Sequence, residues 1–161
     1  MSYKSKRTIT SMLAGIVLII VYVIFAVGKN ANDPGTLASW AVAMLIFIGA
    51  GVVALIIIQI LFHIGYSIGV AVKERNEDEE TVERIISAAT REDEMEKTIE
   101  LRASHVGYRL AGLGFVAALA ALALGASALF ALHMIAGTCA AASIIEGIVS
   151  IYYFERGLKN G

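Results

Sequence analysis

The stretch that decides the fold is residues 73–109, KERNEDEETVERIISAATREDEMEKTIELRASHVGYR. It contains seven of the 13 Lys/Arg residues and 11 of the 14 Asp/Glu residues, and long apolar segments lie on both sides of it. A charged block between two apolar pairs is typical of a cytoplasmic loop that joins two membrane hairpins. The sequence therefore predicts an all-α integral membrane protein whose topology is set by this loop.

The composition also indicates a membrane protein. Of the 161 residues, 58% are hydrophobic and 17% are charged, whereas about a quarter of the residues in soluble domains are charged. The net charge of −1 reflects charges that are segregated along the chain, and the partners we expect are the lipid bilayer and proteins rather than nucleic acid. The single cysteine, Cys139, excludes an intrachain disulfide and a zinc site built from several cysteines.

Four apolar segments are long enough to cross a hydrocarbon core of about 30 Å. The polar residues 29–35 form a loop on the side opposite the charged loop, 73–107. Trp40 follows it at the position of an interfacial aromatic residue. Within a single domain, 1–161, we predict membrane-spanning helices at about residues 9–28, 39–72, 108–129 and 133–154.

The charged loop itself carries two helix start signals. Asn76 precedes Glu79 by three residues, and Thr90 precedes Asp93 by three. At this spacing a capping side chain and an acid in the first turn can satisfy free amides. We therefore predict a first helix near 77–89 and a second that continues into the third spanning helix.

The distribution of basic residues predicts the orientation. Twelve of the 13 Lys/Arg residues lie near the termini or in the charged loop, and Lys29 alone lies on the other side. By the positive-inside rule, the charged loop and both termini are cytoplasmic in a multi-pass protein of the cell membrane. The first apolar segment is longer than the apolar core of a signal peptide, so we expect it to be retained.

Small residues recur every three or four positions along one face of the third spanning helix. In lipid, such residues allow two helix backbones to approach closely. We predict that this small-residue seam is a contact with another helix. Its members are Gly107, Ala111, Gly114, Ala118, Ala121 and Gly125.

Two ionisable residues stand inside the apolar segments. Glu146 lies ten residues before Arg156, and His63 lies ten residues before Lys73. Both are therefore expected about 15 Å inside the cytoplasmic boundary, at one depth. Further polar residues lie at helical spacing from each of these two residues, and they should face the bundle interior. The predicted intramembrane polar site consists of Glu146, His63, Gln59, Ser143, Ser150 and Tyr66.

Three interpretations of this site are open. In a structural clasp, Glu146 and His63 would be joined by a hydrogen bond, because an unpartnered carboxylate in hydrocarbon costs roughly 3 kcal/mol. In a proton or cation pathway, the same two residues would carry the charge. Metal binding with Cys139 is the least favoured, since these ligands follow no recognised spacing. We expect neither a metal nor a cofactor.

Residues 92–103, EDEMEKTIELRA, run into a helix that carries Tyr108. This segment resembles the juxtamembrane Asp-Glu-Arg-Glu-type segment of uncharacterised families of small four-helix prokaryotic membrane proteins, although Glu94 replaces the arginine of that motif. The resemblance implies no settled activity, and some of those families are thought to work beside transcriptional regulators.

The leading functional hypothesis is a binding, regulatory or accessory membrane protein that forms a homo-oligomer and contacts a cytosolic or membrane partner through the charged loop. The alternative is a small proton- or cation-coupled transporter or channel subunit that uses Glu146 and His63. An enzyme is less favoured, because no nucleophile–base pair or metal motif stands out. A water-filled cavity that reaches Glu146 would favour transport, whereas a dry clasp and an exposed groove in the loop would favour binding.

Overall fold

A computed structural model of the chain describes residues 3–32, 35–73, 87–88 and 94–156. Each of its four long helices is long and apolar enough to cross a membrane. This confirms the prediction of an all-α chain with four helices of membrane-spanning length. Most of the charged loop, including most of the helix predicted near 77–89, lies outside the described residues. The helices are α1 (Tyr3–Asn32), α2 (Leu37–Lys73), α3 (Glu94–Ala123) and α4 (Ala128–Arg156).

The contacts between helices follow the order α2, α1, α4, α3. α1 packs against both α2 and α4, α3 packs along α4, and α2 touches α4 only weakly. A Cβ atom on Gly147 of α4 would lie 3.2 Å from the sulfur of Met12 of α1. A Cβ atom on Gly51 of α2 would lie 3.5 Å from Cδ1 of Leu18 of α1. Glycine on α2 and α4 therefore lets both helices come close to α1.

Large apolar side chains cover the outer surface of the bundle. Ile24, Ile46 and Leu113 are 67%, 64% and 71% exposed, and similar residues occur on all four helices. Monomeric soluble proteins rarely expose continuous apolar patches larger than a few hundred Å². Such a surface is suited to contact with lipid, and the helices satisfy their backbone hydrogen bonds internally, as a bilayer requires.

α3 ends before residue 129, the predicted end of this helix. Gly125 has φ = 92°, a left-handed conformation that glycine adopts without steric cost. Its N–H donates to the carbonyl of Leu122 (3.0 Å), and the N–H of Ala126 donates to the carbonyl of Ala121 (2.9 Å). This pair of bonds is the Schellman termination of a helix. The helix therefore stops at Ala123, and at its other end it extends back to residue 94.

Hydroxyl caps determine where α2 and α4 begin. Oγ1 of Thr36 accepts a hydrogen bond from the N–H of Ser39 (3.3 Å). Oγ of Ser127 accepts one from the N–H of Phe130 (3.2 Å). Each cap satisfies an otherwise free amide in the first helical turn. α2 and α4 consequently begin before the predicted positions 39 and 133.

The contact between α3 and α4 is the most extensive one in the described part of the chain. A Cβ atom on Gly107 would lie 2.5 Å from Oε2 of Glu146, and one on Gly114 would overlap the side chain of Thr138. Only glycine allows the two backbones to come this close. Gly125, predicted as the last seam residue, instead lies exposed in the turn. The buried or half-buried seam residues are Gly107, Ala111, Gly114, Ala118 and Ala121.

Candidate functional site

A partly open groove of about 1650 Å³ runs along α1 between α2 and α4. It forms because α2 and α4 both pack on α1 but only weakly on each other. Its volume exceeds the roughly 300–1,000 Å³ of ordinary small-molecule pockets. Most of its lining is apolar, and its charged side chains collect at one end. This charged end comprises Lys4, Arg7, Glu100 and Glu146.

The groove brings together four of the six residues predicted as an intramembrane polar site. α4 contributes a carboxyl group and two hydroxyl groups, and α2 contributes an amide. Two predicted residues, His63 and Tyr66, do not line the groove and contact Tyr3 at the start of α1 instead. The predicted residues that line the groove are Gln59, Ser143, Glu146 and Ser150.

Glu146 and His63 lie at different heights along the bundle. Nδ1 of His63 is 3.3 Å from the hydroxyl of Tyr3. Glu146 precedes Gly147, which packs on Met12 of α1. Tyr3 and Met12 are nine positions apart in α1, so the level of His63 and the level of Glu146 are about 13 Å apart. The structure therefore does not place the two ionisable groups at one depth, and each has a different partner.

Two residues of α3 hold the carboxyl group of Glu146. Oγ of Ser104 donates a hydrogen bond of 2.7 Å to Oε1, which is the usual length of an O–H···O bond. Oε2 lies over Gly107, where the missing Cβ leaves room for it. Within the described ranges, the recorded ion pairs of Lys and Arg involve other carboxylates. Glu146 thus lines the groove, and Ser104 is its hydrogen-bond donor within the described ranges.

Two basic side chains from the first turns of α1 lie in the charged end of the groove. Lys4 is only 3% exposed, and its Nζ lies 3.8 Å from Oε2 of Glu96 and 3.7 Å from Oε1 of Glu100. Arg7 donates a hydrogen bond of 2.8 Å from Nη2 to Oε1 of Gln59. These contacts connect the start of α1 to the start of α3 and to α2.

An aromatic cluster lies at the opposite end of the groove. The ring of Trp40 is 1% exposed and lies 4.7 Å from the ring of His133, and Nζ of Lys29 lies 4.7 Å from the tryptophan ring. Nδ1 of His133 donates to the carbonyl of Leu129 (2.9 Å). Trp40 is therefore buried inside the bundle, because α1 and α4 pack around it. The cluster consists of Tyr22, Phe25, Trp40, Phe47 and His133.

No sequence pattern had singled out Ser104, Lys4 or Arg7 as parts of this site. One signal was present for Ser104, since it precedes the seam residue Gly107 by three positions and so shares its side of the helix. Lys4 and Arg7 are also three positions apart, so they share one side of α1. Charges so near a terminus are read as topology signals, which hides a role in contacts between helices.

The described ranges contain no group of three or more His, Cys, Asp or Glu residues that could hold a metal ion. The resemblance noted for residues 92–103 stays a prediction. Comparison of the chain with protein-family models, with curated proteins and with solved structures gives no match.

Proposed function

We propose that the chain is a multi-pass membrane protein that binds an amphiphilic molecule from the bilayer in the groove. The observation that carries this proposal is the distribution of polarity along the groove, which is mostly apolar and charged at one end. An amphiphile has the same distribution. Its polar part would lie near Glu146 and its apolar part would extend toward the aromatic cluster. The 13 residues from Glu146 back to His133 correspond to about 20 Å of groove.

A groove of this size does not stay empty in a bilayer. Its walls would lose dispersion contacts on one side, and lipid chains or a ligand would restore them. The chains of bulk lipid can fill the apolar part of the groove, but they form no hydrogen bonds with the polar groups of Glu146, Ser104 and Gln59. Those groups favour a molecule with a defined polar part, as is usual for ligand pockets that are mostly apolar.

This proposal differs from the leading hypothesis, in which the charged loop contacts a cytosolic or membrane partner. Transport of the same molecule is the second candidate, and the observation that favours it is that the groove reaches Glu146. A binding partner of the charged loop and a homo-oligomer stay predictions. Much of that loop lies outside the described residues.

We also propose that the charged end of the bundle faces the cytoplasm. Lys4 of α1 contacts Glu96 and Glu100 of α3, which supports the same side of the membrane for the starts of these two helices. Lys29 belongs to the opposite end, beside Trp40. With most basic residues at the first end, the positive-inside rule gives this orientation.

Cysteine labelling tests the orientation. Ala38→Cys and Lys97→Cys, each made with Cys139→Ser, change exposed positions at opposite ends of the bundle. In sealed right-side-out vesicles, a membrane-impermeant maleimide is expected to react at position 38 and to reach position 97 only after permeabilisation. The reverse pattern would show that the proposed orientation is wrong.

A plug in the groove tests ligand binding. Gly15 lines the groove, and a Cβ atom there would meet no atom within 4 Å, so the side chain in Gly15→Leu can leave the backbone without a clash and adds bulk to the groove. Gly49→Leu is the matched control, because Gly49 is equally free but lies outside the groove lining. Native mass spectrometry after detergent exchange should find a bound amphiphile on the wild type and on Gly49→Leu, and little on Gly15→Leu. Equal retention by all three proteins would contradict the proposal.

A further inference from the structure

We propose that the molecule bound in the groove is a hydrophobic organic cation and that the carboxylate of Glu146 is its counter-ion. This inference rests on the proposed function, since it assumes that the groove binds a ligand. It adds the charge of that ligand and the residue that selects it.

Glu146 lies well inside its helix. It lies ten residues from Arg156, the last residue of α4, so its short side chain cannot reach the end of the helix. Long basic side chains can extend to the membrane surface, but a glutamate in the middle of a spanning helix cannot. Ionisable groups placed in this way face a bundle interior or cavity and mark pathways or binding sites for ions. Glu146 lines such a cavity.

The basic residues that line the groove contact groups other than Glu146. Lys4 contacts Glu96 and Glu100, and Arg7 donates to Gln59. The recorded hydrogen bond of Glu146 comes from Ser104, which is neutral. A carboxylate with a neutral donor in apolar surroundings attracts a cation more strongly than it would in water, because the local dielectric constant is low.

The carboxyl group of Glu146 has a fixed position. Ser104 engages Oε1, and Oε2 occupies the space over Gly107. Two sides of the carboxyl group are thereby defined by α3, and the residue still lines the groove. Preorganised groups of this kind bind a charge without having to rearrange.

The walls of the groove suit an apolar body attached to the cation. Beyond Glu146 they are largely apolar, and they include the rings of Tyr22 and Phe47. Aromatic faces attract cations and make broad contacts with apolar groups. Arg7 would instead favour an anion. However, its guanidinium already donates a hydrogen bond to Oε1 of Gln59 near the start of α1.

A pair of hydrophobic ions of opposite charge tests the inference. Tetraphenylphosphonium and tetraphenylborate have similar size and apolar surface and opposite charge, so a change in their relative affinity between wild type and variant reports on charge at the site. Equilibrium dialysis with the full-length protein in detergent should show about tenfold tighter binding of the cation, which corresponds to 1.4 kcal/mol. Glu146→Gln should remove this preference. Glu155→Gln should keep it, because Glu155 is exposed on the same helix and outside the groove lining.

The plug variant distinguishes failure of this inference from failure of the proposed function. Gly15→Leu should weaken the binding of both ions, and unchanged binding of both would overturn the groove as the site. If Gly15→Leu weakens both ions but Glu146→Gln leaves the cation preference intact, the groove stands and the role of Glu146 is overturned. Tighter binding of the anion that is lost in Arg7→Gln would also overturn the inference.

A variant that keeps the charge covers the case in which Glu146→Gln does not fold. Thermal unfolding of each variant shows whether it folds. Glu146→Asp shortens the reach of the side chain to Ser104 but retains the carboxylate. Because the charge is retained, the cation should still bind more tightly than the anion. A folded Glu146→Asp protein that binds both ions equally would overturn the inference.

Discussion

Gly114→Ala is expected to lower the free energy of unfolding by roughly 1–2 kcal/mol, although alanine is the better helix former by about 1 kcal/mol. The added Cβ would overlap Thr138 of α4, including the Cβ atom of that residue, which side-chain rotation cannot move. Oγ1 of Thr138 also lies within hydrogen-bonding distance of the carbonyls of Met134 (2.9 Å) and Ile135 (3.0 Å). α3 and α4 would therefore have to separate. Thermal unfolding in detergent, followed by circular dichroism, measures the loss.

Gly112→Ala is the matched control for this substitution. Gly112 is exposed on the same helix, and a Cβ atom there would meet no atom within 4 Å. Its stability should be unchanged or slightly higher. Combining Gly114→Ala with Thr138→Gly moves the open space from one helix to the other and should recover part of the loss. If Gly112→Ala and Gly114→Ala are equally stable, the close approach of α3 and α4 at this position is wrong.

The sequence was most informative about the number and type of the helices. Each apolar run is long enough to dominate its hydropathy window, so four spanning-length helices follow from composition alone. Hydropathy marks the apolar part of a helix and does not mark its ends. α1 therefore begins at Tyr3, before the predicted position 9. α3 includes the charged residues from Glu94 onward, where the cap signal at Thr90 predicts a helix that continues into the third span.

The short connection between α3 and α4 was misplaced for a local reason. Gly125 fits the spacing of the small-residue seam, but a glycine followed two residues later by Ser127 is also a helix stop signal followed by a cap. The structure uses these residues in that way. Spacing alone cannot separate the two uses of a glycine, because both need only a missing side chain.

The depth of His63 could not be predicted by counting from the end of its helix. That count assumes that all helices end at the same level. α2 has 37 residues and continues past the level at which α1 begins, where Tyr3 contacts His63. Ten residues from Lys73 therefore bring His63 only to the start of α1, whereas Glu146 lies about 13 Å deeper.

The partner of Glu146 could not be predicted either. Hydropathy and spacing identify a carboxylate within an apolar helix, but they do not show which helix packs on it. Ser104 and Gly107 became parts of the site because α3 packs along α4 with its glycine face. The groove has the same origin, since it depends on the weak contact between α2 and α4 rather than on any motif.

The groove exists because α1 packs on α4 and leaves a gap between α4 and α2. A Cβ atom on Gly147 would lie 3.6 Å from the Cβ of Met12, within the roughly 3.5–4.5 Å that a disulfide requires. The pair Met12→Cys and Gly147→Cys, made with Cys139→Ser, is therefore expected to form a disulfide almost completely. Met12→Cys with Gly112→Cys is the control, since Gly112 lies on the exposed face of α3.

The most direct measurement is the intact mass and gel mobility of the monomer after mild oxidation in native membranes. We expect an internal disulfide in the protein with cysteines at positions 12 and 147, and free thiols in the control. Free thiols at positions 12 and 147, or an equally complete disulfide in the control, would contradict the packing of α1 on α4 and with it the groove.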